Sequence, residues 1–330
     1  MSSATIPEDG DVPVEFLWTT VKLRKIYRKC GLAALALLTM WRFEREDDYM
    51  NNVKKSDAET HPRSETSPSS IASPLLGMTA LVTGAARGIG AAIAIELGRQ
   101  GARVMATDRD AAALGDTLGK LAEVGSGSAT LSLDVTSSEQ CFAAIERVNS
   151  EFGKTDIVVN AAGLYMSAPF LTLCTEDFQR LLDVNLFGTV NLMQAALPGM
   201  LARQYGRIVN LASTAGKRGG ANQSAYSVSK HAVIGVTRCV AMEFAKTGVT
   251  VNAICPGPVR TEMLAGLWET QAALAGTSID AVKSGMLKRI PIGRLIEPDE
   301  IAAMAAYLVS SQAGGLTGQA ITVDGGMLQA

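Results

Sequence analysis

Thr83-Gly84-Ala85-Ala86-Arg87-Gly88-Ile89-Gly90 is the stretch on which the reading of this chain turns. It closes a short apolar run, Thr79–Thr83, and leads into a helix-like pattern, Ile89–Gln100, that carries Ile93, Ile95 and Leu97. A glycine-rich turn between a buried strand and a helix leaves backbone N–H groups and the positive helix end facing outward, and glycines let an anion come close. Such a turn can cradle a pyrophosphate. A lone glycine motif says little; the strand before it and the helix after it make this one specific. The spacing, Gly84-x-x-x-Gly88-x-Gly90, is wider than the common G-x-G-x-x-G.

Downstream, strand-like and helix-like patterns alternate. Strands are predicted at Arg103–Thr107, Ala129–Leu133, Asp156–Asn160, Arg207–Leu211, Thr250–Ile254 and Ala320–Val323. Helices are predicted at Ala111–Glu123, Ser138–Phe152, Glu176–Arg203, Tyr226–Lys246 and Pro298–Ser310. Short apolar strands separated by helical patterns mean a parallel sheet with helices on both faces. The expectation is a single α/β domain over residues 78–330, a Rossmann-type doubly wound sheet of about seven strands.

Residues 1–77 read differently. Glu44–Ser73 is polar and rich in Ser, Thr, Pro and charge, a linker composition. Before it, within residues 16–43, a basic cluster (Lys22, Arg24, Lys25, Arg28, Lys29) precedes the apolar run Gly31–Trp41. Eleven residues are too few to span a bilayer, which needs about 20. An interfacial helix giving peripheral membrane contact, an ordinary packing helix and a dispensable extension all fit this segment. Met78 stands directly before the first strand, so a chain beginning there would keep the whole catalytic pattern.

Composition narrows the chemistry. Thirty basic against 32 acidic residues give a net charge of −2, so nothing argues for a nucleic-acid or polyanion partner. Five scattered cysteines (Cys30, Cys141, Cys174, Cys239, Cys255) show no metal spacing and read as idle thiols of a reducing, cytoplasmic compartment. With only His61 and His231, neither a histidine triad nor a histidine-rich metal site is expected. His231 follows Lys230 but lies about 100° round the helix from it, on a packing or surface face.

Tyr226-Ser227-Val228-Ser229-Lys230 puts a phenol and an ammonium four residues apart on one helix face. Free tyrosine has a pKa of about 10. A nearby ammonium favours the phenolate and lowers that value, so the pair suits proton transfer to and from oxygen. Asp108 ends the second strand, 18 residues past Gly90. A carboxylate there can accept from an adenosine ribose and repels a 2′-phosphate, or it merely caps the next helix. Arg87 and Arg109 flank the same place and would welcome a phosphate.

Together these phrases resemble the short-chain dehydrogenase/reductase family over essentially all of residues 78–330. The resemblance implies a catalytic tetrad of Asn185, Ser213, Tyr226 and Lys230. Tyr226 would be the acid or base and Lys230 would lower its pKa and hold the nicotinamide ribose. Ser213 would position the substrate oxygen, and Asn185 would hold a water linking Lys230 to solvent. It implies cofactor contacts from Gly84, Arg87, Gly88, Ile89 and Gly90, from Asp108, and from Asp134-Val135 after the third strand. The Asn160-Ala161-Ala162-Gly163 turn and the segment Pro256-Gly257-Pro258-Val259-Arg260-Thr261 would complete them, with Tyr226 and Lys230. Asp108 favours NAD(H) over NADP(H).

Tyr226–Thr261 is similar to 3-oxoacyl reductases, polyketide ketoreductases and 3-hydroxybutyrate dehydrogenases. The implied reaction interconverts a ketone and a secondary alcohol, on an acyl thioester or another small molecule, in a homotetramer. Specificity would reside in the segment Leu164–Leu173 and in the loop after Pro256-Gly257, about Met263–Leu287. The latter's apolar residues (Leu264, Leu267, Trp268, Leu274, Met286) form either a lid over a hydrophobic substrate or packing against the sheet or a neighbouring subunit.

Overall fold

The computed structural model of the chain describes residues 73–328. The segment 16–43 and nearly all of the polar stretch behind it lie outside them. Seven strands, β1 (Thr79–Thr83), β2 (Arg103–Asp108), β3 (Ala129–Ser132), β4 (Ile157–Asn160), β5 (Gly206–Leu211), β6 (Val249–Pro256) and β7 (Ala320–Val323), make one sheet. All neighbours are parallel and the order is β3-β2-β1-β4-β5-β6-β7. The doubly wound expectation holds, and the order reverses between β1 and β4, where such sheets leave a crevice at the carboxyl ends of their strands.

The four central strands β1, β4, β5 and β6 are buried along their whole length. Side chains alternate between faces along a strand. Ala80, Val82, Ile157, Val159, Val209 and Ile254 therefore join one core layer. That layer meets α1 (Gly88–Arg99), α2 (Gly115–Glu123) and α9 (Pro298–Val309) through Ile93, Leu97, Leu121, Ile301 and Leu308. Leu81, Val158, Ile208 and Val251 point the other way, toward α3 (Ser138–Phe152), α5 (Gly188–Ala202) and α6 (Ser224–Glu243). Each fully buried Leu or Ile here contributes about 2 kcal/mol.

The structure departs from the sequence expectations in three places. The helix expected over Glu176–Arg203 is α4 (Thr175–Leu182), a π-helical turn at Asp183–Phe187 and then α5. Met263–Leu287 is not a loop but two helices, α7 (Glu262–Ala275) and α8 (Ile279–Leu287). The Thr261 side chain accepts from the Leu264 N–H to start α7, Gly276 at φ +61° ends it, and Ser278 starts α8. The folded unit also begins before Met78. Leu75 is 1% exposed within the first core layer, and its N–H donates to the Gln100 carbonyl at 2.9 Å.

Candidate active site

The glycine turn cannot hold side chains. A Cβ on Gly90 would come within 2.1 Å of the Gly84 carbonyl oxygen, and one on Gly84 within 2.8 Å of Ala162. Gly84 and Gly88 also have φ of +62° and +59°, which L side chains rarely adopt. The result is bare backbone facing the N-terminus of α1, where N–H groups and the helix dipole favour a phosphate. Asp108, at the end of β2, lies beside the turn and its carboxylate accepts from the Ala86 N–H at 3.4 Å. Arg87 does not point to an open phosphate site. It pairs with Glu262 at 2.9 Å, on the first turn of α7.

The remaining expected cofactor residues divide. Ile89, Ala161, Gly163, Pro256, Gly257, Val259 and Thr261 line a cavity of about 550 Å³ at the carboxyl ends of β4, β5 and β6. Gly84, Arg87, Gly88, Gly90, Asp108, Asp134, Val135 and Asn160 do not line that cavity; all but Asn160, on β4, belong to β1–β3 and the connections that follow them. Asp134 holds an Asx turn, accepting from the Thr136 N–H and hydroxyl, and these bonds keep its carboxyl below the usual range. The Val135 carbonyl accepts from Asn191 at 2.9 Å. The Asn160 amide is turned into the sheet: it donates to Asn210 at 2.8 Å, and Asn210 donates to Thr237 at 2.9 Å. Asn160 thus ties β4 to β5 and α6 with its side chain.

Ser213, Tyr226 and Lys230 all line the cavity. Ser213 follows β5, and its Oγ accepts from the Ala215 N–H at 3.1 Å, which leaves its proton free to donate. Tyr226 sits on the first turn of α6. Lys230, one turn on and 5% exposed, donates from Nζ to the Leu211 carbonyl at 2.7 Å and stands 5.9 Å from the Tyr226 ring centre. Asn185 lies in the π-helical turn, a distortion that recurs at functional sites. Its amide donates to the Leu164 carbonyl at 3.0 Å and to Ser229 Oγ at 2.9 Å, and its oxygen accepts from the Leu164 N–H at 2.7 Å. Ser229 in turn donates to the Tyr226 carbonyl at 2.8 Å. Asn185 therefore ties the irregular segment following Gly163 to the turn of α6 that bears Tyr226 and Lys230.

Burial sets the acid–base character. It pushes the Tyr226 phenol up to about 12, partly opposed by the neighbouring Ser213 hydroxyl. It pulls Lys230 down to about 8. The expectation that Lys230 lowers the Tyr226 pKa is not carried by this geometry. Desolvation outweighs an ammonium that is directed at the Leu211 carbonyl rather than at the phenol.

Sequence reasoning included Tyr165 in a specificity segment without singling it out; its ring packs edge-on to Tyr226 at 4.6 Å between centres and its hydroxyl accepts from Gln223 at 3.0 Å. Arg218 and Arg289, which line the cavity, it missed. These residues come from connections with no periodic signal. Of the apolar stretch 263–287, Leu264, Leu267, Leu274 and Met286 face the cavity, whereas Trp268 packs inside the helix pair with its indole N–H 3.4 Å from Met286 Sδ. In Leu164–Leu173 only Leu164 and Tyr165 line it; Phe170 and Leu171 are exposed at 68% and 96%. His231 is exposed and bonds the Ser227 carbonyl within its own helix. Among the described residues no group of His, Cys, Asp and Glu is placed to hold a metal, and no helix is long and apolar enough to cross a membrane.

The site accommodates a dinucleotide on two counts. The glycine turn is a cradle that a single Cβ would fill, and Lys230, whose Nζ a Cβ on Gly163 would approach to 3.6 Å, has ammonium protons left over beyond its bond to Leu211. Comparison with known proteins agrees. Residues 84–328 match the family model described as enoyl-(acyl carrier protein) reductase. An acetoacetyl-CoA reductase of Shinella zoogloeoides is 38% identical over 251 residues, covering 76% of this chain and 98% of that one. Among solved structures, a single-residue variant of the actinorhodin polyketide ketoreductase with NADPH superposes with a TM-score of 0.74 at 39% identity, covering 76% of this chain and 97% of that one. An NAD⁺-bound xylitol dehydrogenase reaches the same TM-score of 0.74 at 32% identity, covering 76% and 99%.

Proposed function

The chain belongs to the short-chain dehydrogenase/reductase family and is a nicotinamide-dependent oxidoreductase; from that premise we propose that it reduces the ketone of a 3-oxoacyl thioester to the 3-hydroxy form, preferring NADH to NADPH. The observation that carries the reading is the Tyr226 phenol, the Ser213 hydroxyl and the apolar side chains of Leu264, Leu267, Leu274 and Met286 in one cavity. The glycine turn and the N-terminus of α1 would hold the pyrophosphate, Asp108 the adenosine ribose and Lys230 the nicotinamide ribose. When bound, the dinucleotide supplies the hydride that reduces the carbonyl carbon.

The side chains of the protein handle the oxygen. Ser213 donates to the carbonyl oxygen and fixes its place. Tyr226, neutral at pH 7 with its pKa near 12, gives its proton to the oxygen as negative charge develops there. Lys230, held at the Leu211 carbonyl, has ammonium protons left for the nicotinamide ribose, and Asn185 keeps the turn that bears Tyr226 and Lys230 fixed. The lid made by α7 and α8 keeps water away, which strengthens each of these charge interactions.

Asp108 beside the glycine turn, with Arg87 neutralised by Glu262, supports the preference for NADH. The same feature supports a second reading, an NAD-dependent catabolic secondary-alcohol dehydrogenase of the 3-hydroxybutyrate kind. A silent dinucleotide-binding scaffold is disfavoured because all four tetrad positions are filled. A homotetramer follows from the family analogy, with exposed Val228 and Met242 on α6 as candidate contacts; a sedimentation mass is its test. The decisive assay follows absorbance at 340 nm with acetoacetyl-CoA and either cofactor. NADH oxidation is expected, and turnover of simple secondary alcohols with NAD⁺ but of no thioester would move the assignment to the second reading.

A further inference from the structure

Three charged side chains line the active-site cavity, Arg218, Lys230 and Arg289, and no carboxylate joins them among the described residues. Lys230 lies at the floor. The two arginines are exposed and neither takes part in an ion pair among the described residues. Both line the same cavity, one from the connection after β5 and the other from the connection after α8. Arg218 follows the turn after Ser213 and sits 4.0 Å from Met327 Sδ. Met327 packs on the apolar cluster that holds Met286 and Ile290, the latter directly following Arg289 in the chain. The cofactor's own phosphates have a separate cradle at the glycine turn, so these guanidiniums are not needed there.

Resting on the ketoreductase reading, we propose that Arg218 and Arg289 form an anion subsite at the cavity mouth that takes a phosphate of a pantetheine thioester, carried by coenzyme A or by an acyl carrier protein. Guanidinium forks match phosphate oxygens two at a time, and an apolar wall sharpens that attraction. Two arginines with no ion-pair partner among the described residues gain less from a neutral polyol or a simple ketone than from an anion. They gain a partner from a substrate whose reactive ketone reaches Tyr226 while its anionic end stays at the entrance.

The test compares acetoacetyl-CoA with acetoacetyl-N-acetylcysteamine, the same thioester without phosphate, in the wild type, Arg218→Gln, Arg289→Gln and the double variant. The expected result is a KM for acetoacetyl-CoA raised about tenfold by each substitution, with kcat/KM for the truncated thioester within about twofold of wild type. Raised salt should mimic the substitutions for the charged substrate alone. Equal losses on both thioesters, or no loss on either, would overturn the subsite while leaving the ketoreductase reading in place. Wild-type inactivity on both would remove that reading and the subsite with it. Repeating the series with acetoacetyl-carrier protein locates the anion: a loss with both carriers assigns the arm's own phosphate, and a loss with coenzyme A alone assigns its nucleotide phosphates.

Discussion

Burial drives the two residues at the centre of the site in opposite directions, the Tyr226 phenol up to about 12 and the Lys230 ammonium down to about 8. The signs matter for pH dependence. Ketone reduction needs the neutral phenol, which is present across the neutral range, and the charged lysine, which is lost as pH rises through about 8. The kcat/KM for reduction is therefore expected to be flat below about pH 8 and to fall above it. Alcohol oxidation needs the phenol deprotonated, so its rate should climb with pH instead. A reduction rate that climbs through about pH 8 would contradict this assignment. Tyr226→Phe removes the proton donor with little change of shape, and should cost about a thousandfold in kcat while dinucleotide binding, read by fluorescence, stays within a few fold. At this scale the sequence was legible wherever chemistry fixes a spacing. Tyr226 and Lys230 share a face because they are four apart, whereas Ser213, two residues past β5, was reached through the family resemblance. Tyr165, Gln223 and the Leu211 carbonyl were not legible, because they reach the cavity from different connections and no local pattern links them.

Among the elements, the pair α7 and α8 changes the picture most. Its capping signals stand in the sequence at Thr261, Gly276 and Ser278, but the alanine-rich run between them lacks the clear polar face that marks an amphipathic helix. The π-helical turn at Asp183–Phe187 was equally hidden, since one extra residue in a helical run leaves the apolar pattern nearly intact. Both features touch the site. The start of α7 leans on the glycine turn: a Cβ on Gly88 would meet Thr261 at 3.4 Å, and Glu262 binds Arg87. Glu262→Gln would free Arg87 for a 2′-phosphate, so the ratio of kcat/KM for NADPH over NADH should rise about threefold, a modest change in keeping with an exposed pair. An unchanged ratio would mean that Asp108 alone sets the preference.

For the whole molecule, alternating patterns made the α/β class and the number of strands readable, and the right-handed crossover rule narrows the strand order. The start of the folded unit was misplaced because Leu75 is one apolar residue in a polar neighbourhood, and only its tertiary contacts reveal it. Leu75→Ala is expected to destabilise the protein by about 3 kcal/mol, whereas Leu76→Ala, at a position 73% exposed, should cost under about 0.5 kcal/mol. Denaturant unfolding would distinguish them, and equal costs would remove residues before Met78 from the core. The account's central claim is that this fold carries a working ketone reductase whose proton comes from Tyr226. Its most direct test is absorbance at 340 nm with acetoacetyl-CoA and NADH, for wild type and Tyr226→Phe. The account expects steady NADH oxidation by the wild type and none above background by the variant, with NADH binding retained in both. A variant that turns over at the wild-type rate would contradict it.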